Sequence, residues 1–163
     1  MNNIILCGFM GSGKTTVGTE LAKIMGRKFV DTDELIEKEQ GVSIKAIFAA
    51  RGEDYFRDLE YECCKRVADM KNCVVSTGGG ALTFQRNVDS LKEGGKIVFL
   101  DASFGVICDR IGNSKTRPLF QNIDEAKRLY DERRSKYAAA ADYIIDGDMS
   151  ARKTALEIAQ IFK

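Results

Sequence analysis

The stretch GFMGSGKT, from Gly8 to Thr15, constrains this chain more than any other. It fits G-x-x-x-x-G-K-[ST], and it lies between an apolar run, Asn3 to Cys7, and a segment with helical periodicity. Glycine at 8, 11 and 13 permits backbone turns that bulkier residues resist, so the loop N–H groups can converge on phosphate oxygens at a helix N-terminus. In that arrangement Gly11, Ser12, Gly13, Lys14, Thr15 and Thr16 hold a nucleotide. Lys14 reaches its terminal phosphates, and the Thr15 hydroxyl is placed for Mg2+. A strand, this loop and a helix together require a parallel α/β architecture.

The rest of the chain agrees. Five apolar runs read as strands, at 3–7, 28–31, 73–76, 96–100 and 143–146. They are rich in Val, Ile and Phe without clean alternation, as in strands buried on both faces. Helical patterns fall between them, near 14–25, 33–40, 52–71, 84–92, 104–111, 123–139 and 150–162. Strand alternating with helix gives a parallel sheet, whose ligands bind beyond the carboxyl ends of the strands.

The second strand ends in Asp31-Thr32-Asp33. In extended chain, residues two apart share a side, so two like charges stand close and need a cation nearby. Mg2+ on a nucleotide answers this, and it uses only one or two carboxylates, which leaves the other acid free to meet a substrate hydroxyl. The competing reading is capping, with Asp33 or Thr32 as N-cap and Glu34 in the first turn. The third strand runs into Gly78, Gly79 and Gly80, a loop whose backbone can approach a ligand closely. Asp101 after the fourth strand has the look of a metal-binding acid, and the competing reading is that Asp101 or Ser103 begins the next helix as a cap.

The arginines are less decided. Arg57 and Glu60 are helical neighbours, and such pairs are commonly exposed and worth little. With Phe48 and Phe56 nearby, the same pair could instead be an aimed carboxylate clamp; spacing alone favours the exposed pair. The polar stretch 111–124 holds the single proline and Arg117, either a loop arginine or one that swings onto a transferring phosphate. Arg133 and Arg134 are adjacent on one helix, so only one can face a given site, and the other is expected to be a solvated charge.

Composition removes other classes. With 25 Lys and Arg against 24 Asp and Glu, the net charge is +1, which argues against a nucleic-acid or membrane-surface protein. There is no histidine, and none of the five cysteines forms a CxxC pair. Zinc is thereby disfavoured, the cysteines read as buried apolar residues of a reducing compartment, and any general base must be a carboxylate, Lys, Tyr or Cys. No basic leader or long apolar stretch is apparent, so a cytoplasmic, soluble protein is expected.

Taken in order, these motifs resemble the shikimate kinase family over essentially the whole chain. The resemblance rests on Gly8 to Thr15, on Asp31-Thr32-Asp33, and on Gly52 to Glu60 (G-E-x-x-F-R-x-x-E). It continues in Thr77 to Gly80, in Arg117-Pro118-Leu119, and in R-x-x-x-Y from Arg133 to Tyr137. It implies a three-layer α/β/α P-loop NTPase fold similar to nucleoside monophosphate kinases. A five-stranded parallel sheet would form one domain over 1–163, with a substrate-binding segment at about 32–61 and a lid at about 112–124. It implies ATP-dependent phosphorylation of the 3-hydroxyl of shikimate by a monomer using Mg2+. Asp31 and Thr15 would serve the metal, and Asp33 the acceptor hydroxyl. Arg57, held by Glu60, and Arg133 would grip the acceptor carboxylate, with Gly78, Gly79, Gly80, Phe48 and Phe56 around it. Lys14 and Arg117 would act on the transferring phosphoryl group, and Arg110 would pack against adenine. Rival readings keep the phosphate loop but change the rest. One is a nucleoside monophosphate or gluconate kinase; the other is a nucleotide switch, although no N-K-x-D base-reading motif is present.

Overall fold

The computed structural model describes residues 2–111 and 122–163. Arg117 and most of the expected lid lie outside them. Five strands, β1 (Asn3–Cys7), β2 (Lys28–Asp31), β3 (Cys73–Ser76), β4 (Gly95–Asp101) and β5 (Tyr143–Asp146), form one parallel sheet in the order β2-β3-β1-β4-β5. Among the described residues, eight α-helices connect or flank them: α1 (Lys14–Met25), α2 (Thr32–Gln40), α3 (Ile44–Arg51), α4 (Glu53–Asp69), α5 (Gln85–Gly94), α6 (Phe104–Ile111), α7 (Ile123–Ala140) and α8 (Ala151–Ile161).

The central strand shows why its sequence lacks alternation. Ile4 and Leu6 point into a core shared with α1 and α8, while Ile5 and Cys7 point into a second core built with α4 and α5. Both faces are dry, so both sets of positions are apolar. Cys7, Cys63, Cys64 and Cys73 are buried in that second core, and all five cysteines are free thiols. Burial pushes the Cys7 thiol up to about 12, as suits a packing residue.

All five expected strands form. The helical reading needs two changes. Residues 41–51 carry a separate helix, α3, stopped on either side by glycine: Gly41 at φ 71° and Gly52 at φ 84°. Ser43 caps α3 by accepting a hydrogen bond from the Ala46 N–H at 3.1 Å. The cap of α2 is Asp31, not Asp33 or Thr32; its Oδ1 accepts from the Glu34 N–H at 3.1 Å. After β4, Ser103 accepts from the Val106 N–H, while Asp101 is engaged elsewhere.

Strand order positions the site. Connections from β1 and β3 leave in opposite directions across the sheet, which opens a crevice at the carboxyl ends of the neighbours β2, β3 and β1. The acidic pair, the glycine run and the phosphate loop therefore stand side by side. Among the described residues, no helix is long and apolar enough to cross a membrane.

Candidate active site

A cleft of about 610 Å3 opens at those strand ends. One half of it is the loop from Gly8 to Thr15, with Gly11 at φ 82° and Gly13 at φ 94°. Gly11, Gly13, Lys14, Thr15 and Thr16 line the cleft. Ser12 is buried instead, its hydroxyl having no hydrogen-bond partner within the protein. Lys14 lies across the loop, its Nζ donating to the Gly8 carbonyl at 2.5 Å and the Phe9 carbonyl at 3.3 Å. Arg110, on α6, forks between two loops. It donates to the carbonyls of Gly11 and Ser12 at 3.3 and 3.2 Å, and to those of Gly147 and Met149 at 2.9 and 3.3 Å. A second, smaller hollow continues past Arg110 between Gly13, Met149 and Thr154.

The other half of the cleft draws on α2, α3, α4, α7 and the loop after β3. Asp33 enters from the first turn of α2, Phe48 and Ile44 from α3, Phe56, Arg57 and Glu60 from α4, and Arg133 from α7. The three glycines explain how so many groups fit. A Cβ at position 78 would lie 2.4 Å from Asp33 Oδ1, one at 79 would lie 3.0 Å from Arg133 Nη1, and one at 80 would lie 2.7 Å from Arg57 Nη2. None of the three has a positive φ. Their requirement is space for three charged side chains of the chain itself, rather than unusual backbone.

Arg57 is not an exposed pair. Its side chain is 16% exposed and that of Glu60 is 1% exposed, with Nη1 to Oε1 at 2.9 Å. Glu53 adds a contact at 3.4 Å, and the guanidinium lies 5.3 and 4.9 Å from the Phe56 and Phe84 ring centres. Held on several sides, it presents a preset cation to the cleft. Burial raises the Glu60 carboxyl while the Arg57 charge pulls it back down.

Arg133 and Arg134 separate as helical geometry demands. Arg133 lines the cleft, and Arg134 points to the far side, where its Nε and Nη2 grip the two oxygens of Asp101 at 2.9 and 2.7 Å. Arg134 is thus a half-exposed tie between α7 and β4, not a solvated charge.

Asp33 carries the clearest electrostatic signature. Burial, then repulsion from Asp31, pushes its carboxyl from 3.8 up to about 6, against the pull of Lys14. A carboxylate with that value changes protonation near working pH. Asp31 keeps its second oxygen clear of the helix cap and, with the Thr15 hydroxyl, lines the cleft beside the loop. A hydroxyl and a carboxylate suit a hard cation. Among the described residues there is no group of three or more potential ligands of the Asp, Glu, Cys and His kinds. So sparse a set fits Mg2+, which takes the remainder of its shell from phosphates and water.

Thr32 and Tyr137 stand in the quoted motifs, but the bonds they make to the glycine loop, and that of Thr83, carry no sequence signal. The Thr32 hydroxyl accepts from the Gly78 N–H at 3.2 Å, Thr83 Oγ1 donates to the Gly80 carbonyl at 2.6 Å, and the Tyr137 hydroxyl donates to the Gly79 carbonyl. These bonds join residues far apart in the chain, apart from the one made by Thr83, and no local pattern announces them.

Comparison with known proteins matches the sequence and the fold to one family. A family model described as shikimate kinase matches residues 10–163. The chain is 45% identical over 161 residues to a shikimate kinase of Helicobacter hepaticus, covering 97% of this chain and 94% of that one. It is 45% identical over 141 residues to one from Sulfurihydrogenibium sp., covering 86% and 85%. A shikimate kinase from Acinetobacter baumannii, solved in complex with shikimate, superposes with a TM-score of 0.91 at 37% identity, covering 99% of this chain and 93% of that one. The Aquifex aeolicus enzyme superposes at 0.88 with 40% identity, covering 98% and 95%.

Proposed function

Since this chain belongs to the shikimate kinase family, we propose how its own residues carry out that reaction: transfer of the γ-phosphoryl of ATP to the 3-hydroxyl of shikimate. The observation that carries the assignment of roles is the convergence of Asp33, Arg133 and Arg57 on three successive glycines, beside the phosphate loop. Two cations at the cleft wall suit a small carboxylic acid, and the Asp33 carboxylate beside the loop suits its hydroxyl.

In this reading residues 32–61 form the substrate-binding segment. Arg57 and Arg133 take the acceptor carboxylate, Phe48 and Phe56 wall its apolar side, and the N–H groups of Gly79 and Gly80 face it. Asp33 orients the 3-hydroxyl and accepts its proton as the new O–P bond forms and the bond from γ-phosphorus to the bridging oxygen of ADP breaks. The products are shikimate 3-phosphate, a precursor of chorismate and the aromatic amino acids, and ADP. Lys14 and the loop N–H groups balance charge on the phosphoryl oxygens. Catalysis is therefore mainly positioning and electrostatic stabilisation. Thr15 and Asp31 would hold Mg2+, which would supply positive charge to the phosphate oxygens. Arg110 borders the adenine. Arg117, outside the described residues, is assigned to the lid at 112–124 as a further phosphoryl cation. A monomer in the cytoplasm, needing no nucleic acid or membrane, completes the proposal.

The test is ADP release from MgATP with and without shikimate in a coupled assay. A large shikimate-dependent rate is expected, with AMP and gluconate inert as acceptors. Folded protein that binds ATP yet gives no shikimate-dependent ADP would overturn the acceptor assignment and leave the phosphate loop standing.

A further inference from the structure

The protein holds four of the six backbone N–H and C=O groups of Gly78, Gly79 and Gly80. The Gly78 N–H donates to Thr32, and the Gly78 carbonyl accepts from the Ala81 N–H at 3.1 Å. The Gly80 carbonyl accepts from Thr83 twice, from its N–H at 3.2 Å and its hydroxyl at 2.6 Å. The Gly79 carbonyl accepts from the Tyr137 hydroxyl. Among the described residues, the N–H groups of Gly79 and Gly80 have no protein partner, and both residues line the cleft. A glycine run with free N–H groups would ordinarily sample several peptide orientations. Here one bond decides the matter for the Gly79–Gly80 peptide. A trans peptide is planar, with its C=O and the following N–H pointing in opposite directions. Fixing the Gly79 carbonyl toward Tyr137 therefore aims the Gly80 N–H away from it.

We propose that Tyr137 is a positioning residue for acceptor binding: its hydroxyl, clamped on the Gly79 carbonyl, holds the Gly79–Gly80 peptide with the Gly80 N–H turned into the cleft. The inference deepens the acceptor reading above and rests on it for the identity of the acceptor. Three features make Tyr137 suited to the task. It is 1% exposed and its ring packs against Phe99 with centres 5.4 Å apart, so the hydroxyl has a fixed origin. It follows Arg133 by one helical turn, so one stretch of α7 sets both the cation and the peptide that face the acceptor. And burial pushes the phenol up, against the pull of the Arg133 charge, so it keeps the proton it donates. Without the hydroxyl the peptide can rotate, and ordering it again is charged to acceptor binding.

Tyr137→Phe removes the hydroxyl alone. Its KM for shikimate is expected to rise about five- to tenfold, with the KM for ATP held within about twofold. The amide signal of Gly80 in ligand-free protein, followed by NMR, is expected to move and to exchange with solvent faster. A purely structural role would move neither selectively. A shikimate KM within about twofold of wild type, or an ATP KM that rises in parallel, overturns the proposal. If wild-type protein shows no shikimate-dependent turnover, the acceptor reading fails instead. Tyr137 is then judged on the Gly80 amide alone, and an unmoved signal overturns its role.

Discussion

Asp33→Asn is expected to lose about 10^2- to 10^4-fold in kcat while still binding MgATP with near wild-type affinity. Asparagine keeps the shape and can still hydrogen-bond the acceptor hydroxyl, but it has no use for the proton. The wild-type enzyme should show an acid limb in kcat/KM near pH 6, where burial and Asp31 have moved the carboxyl. That limb should be absent from the residual activity of the variant. The same shift has a consequence for stability. Below about pH 4 the carboxyl is protonated folded and unfolded alike and contributes nothing. Between about pH 4 and 6 the unfolded chain ionises first, and above that range the folded protein bears the full cost of a charged Asp33, about 2–3 kcal/mol. Asp33→Asn should therefore be the more stable protein at pH 8, with the gap closing toward pH 4. Chemical denaturation at the two pH values measures this, and it separates lost chemistry from lost folding. Near-normal turnover would return Asp33 to the role of a first-turn acid.

Much of this arrangement was legible in the chain because its signals are local. The phosphate loop needs glycines and a lysine at fixed spacing, and the buried strands need unbroken apolar runs, so Gly8 to Thr15 and the five strands could be read directly. Helix α3 escaped despite Ser43 as cap and Ile44, Ile47 and Phe48 at helical spacing, because eight residues bounded by Gly41 and Gly52 look like a loop. Arg57 was misjudged from spacing for a different reason. An i, i+3 pair has the same sequence pattern in water or under a protein layer, and what buries Glu60 is the packing of α4 within the second core. The glycine run reads locally as a place of close approach, but the side chains that crowd it, Asp33, Arg133 and Arg57, come from other elements that no local pattern announces. Partners brought in from elsewhere in the fold, such as Tyr137 on Gly79 or Arg134 on Asp101, leave no periodic trace at either end. The shared family motifs marked Arg133 and Tyr137 as a unit without saying what the tyrosine touches.

Arg57→Ala should raise the KM for shikimate about 100-fold, with the KM for ATP little changed. The estimate follows from how the guanidinium is held. Glu60 fixes one nitrogen at 2.9 Å, Phe56 and Phe84 flank the plane, and Gly80 leaves room for its other nitrogen at the cleft wall. Its rotamer entropy is lost on folding, so a carboxylate arriving in the cleft gains a charge-assisted bond without that penalty. Truncation also strands Glu60, a carboxyl already raised by burial and relieved chiefly by Arg57. The single variant should therefore be less stable, because a carboxyl that burial already raises loses its chief counter-charge. Arg57→Ala combined with Glu60→Gln removes the stranded charge. Its stability should recover toward wild type, while the shikimate KM stays high, because the cation that meets the acceptor is still missing. Recovery of both would mean that Arg57 serves only to neutralise Glu60, and the grip on the acceptor carboxylate would pass to Arg133 alone.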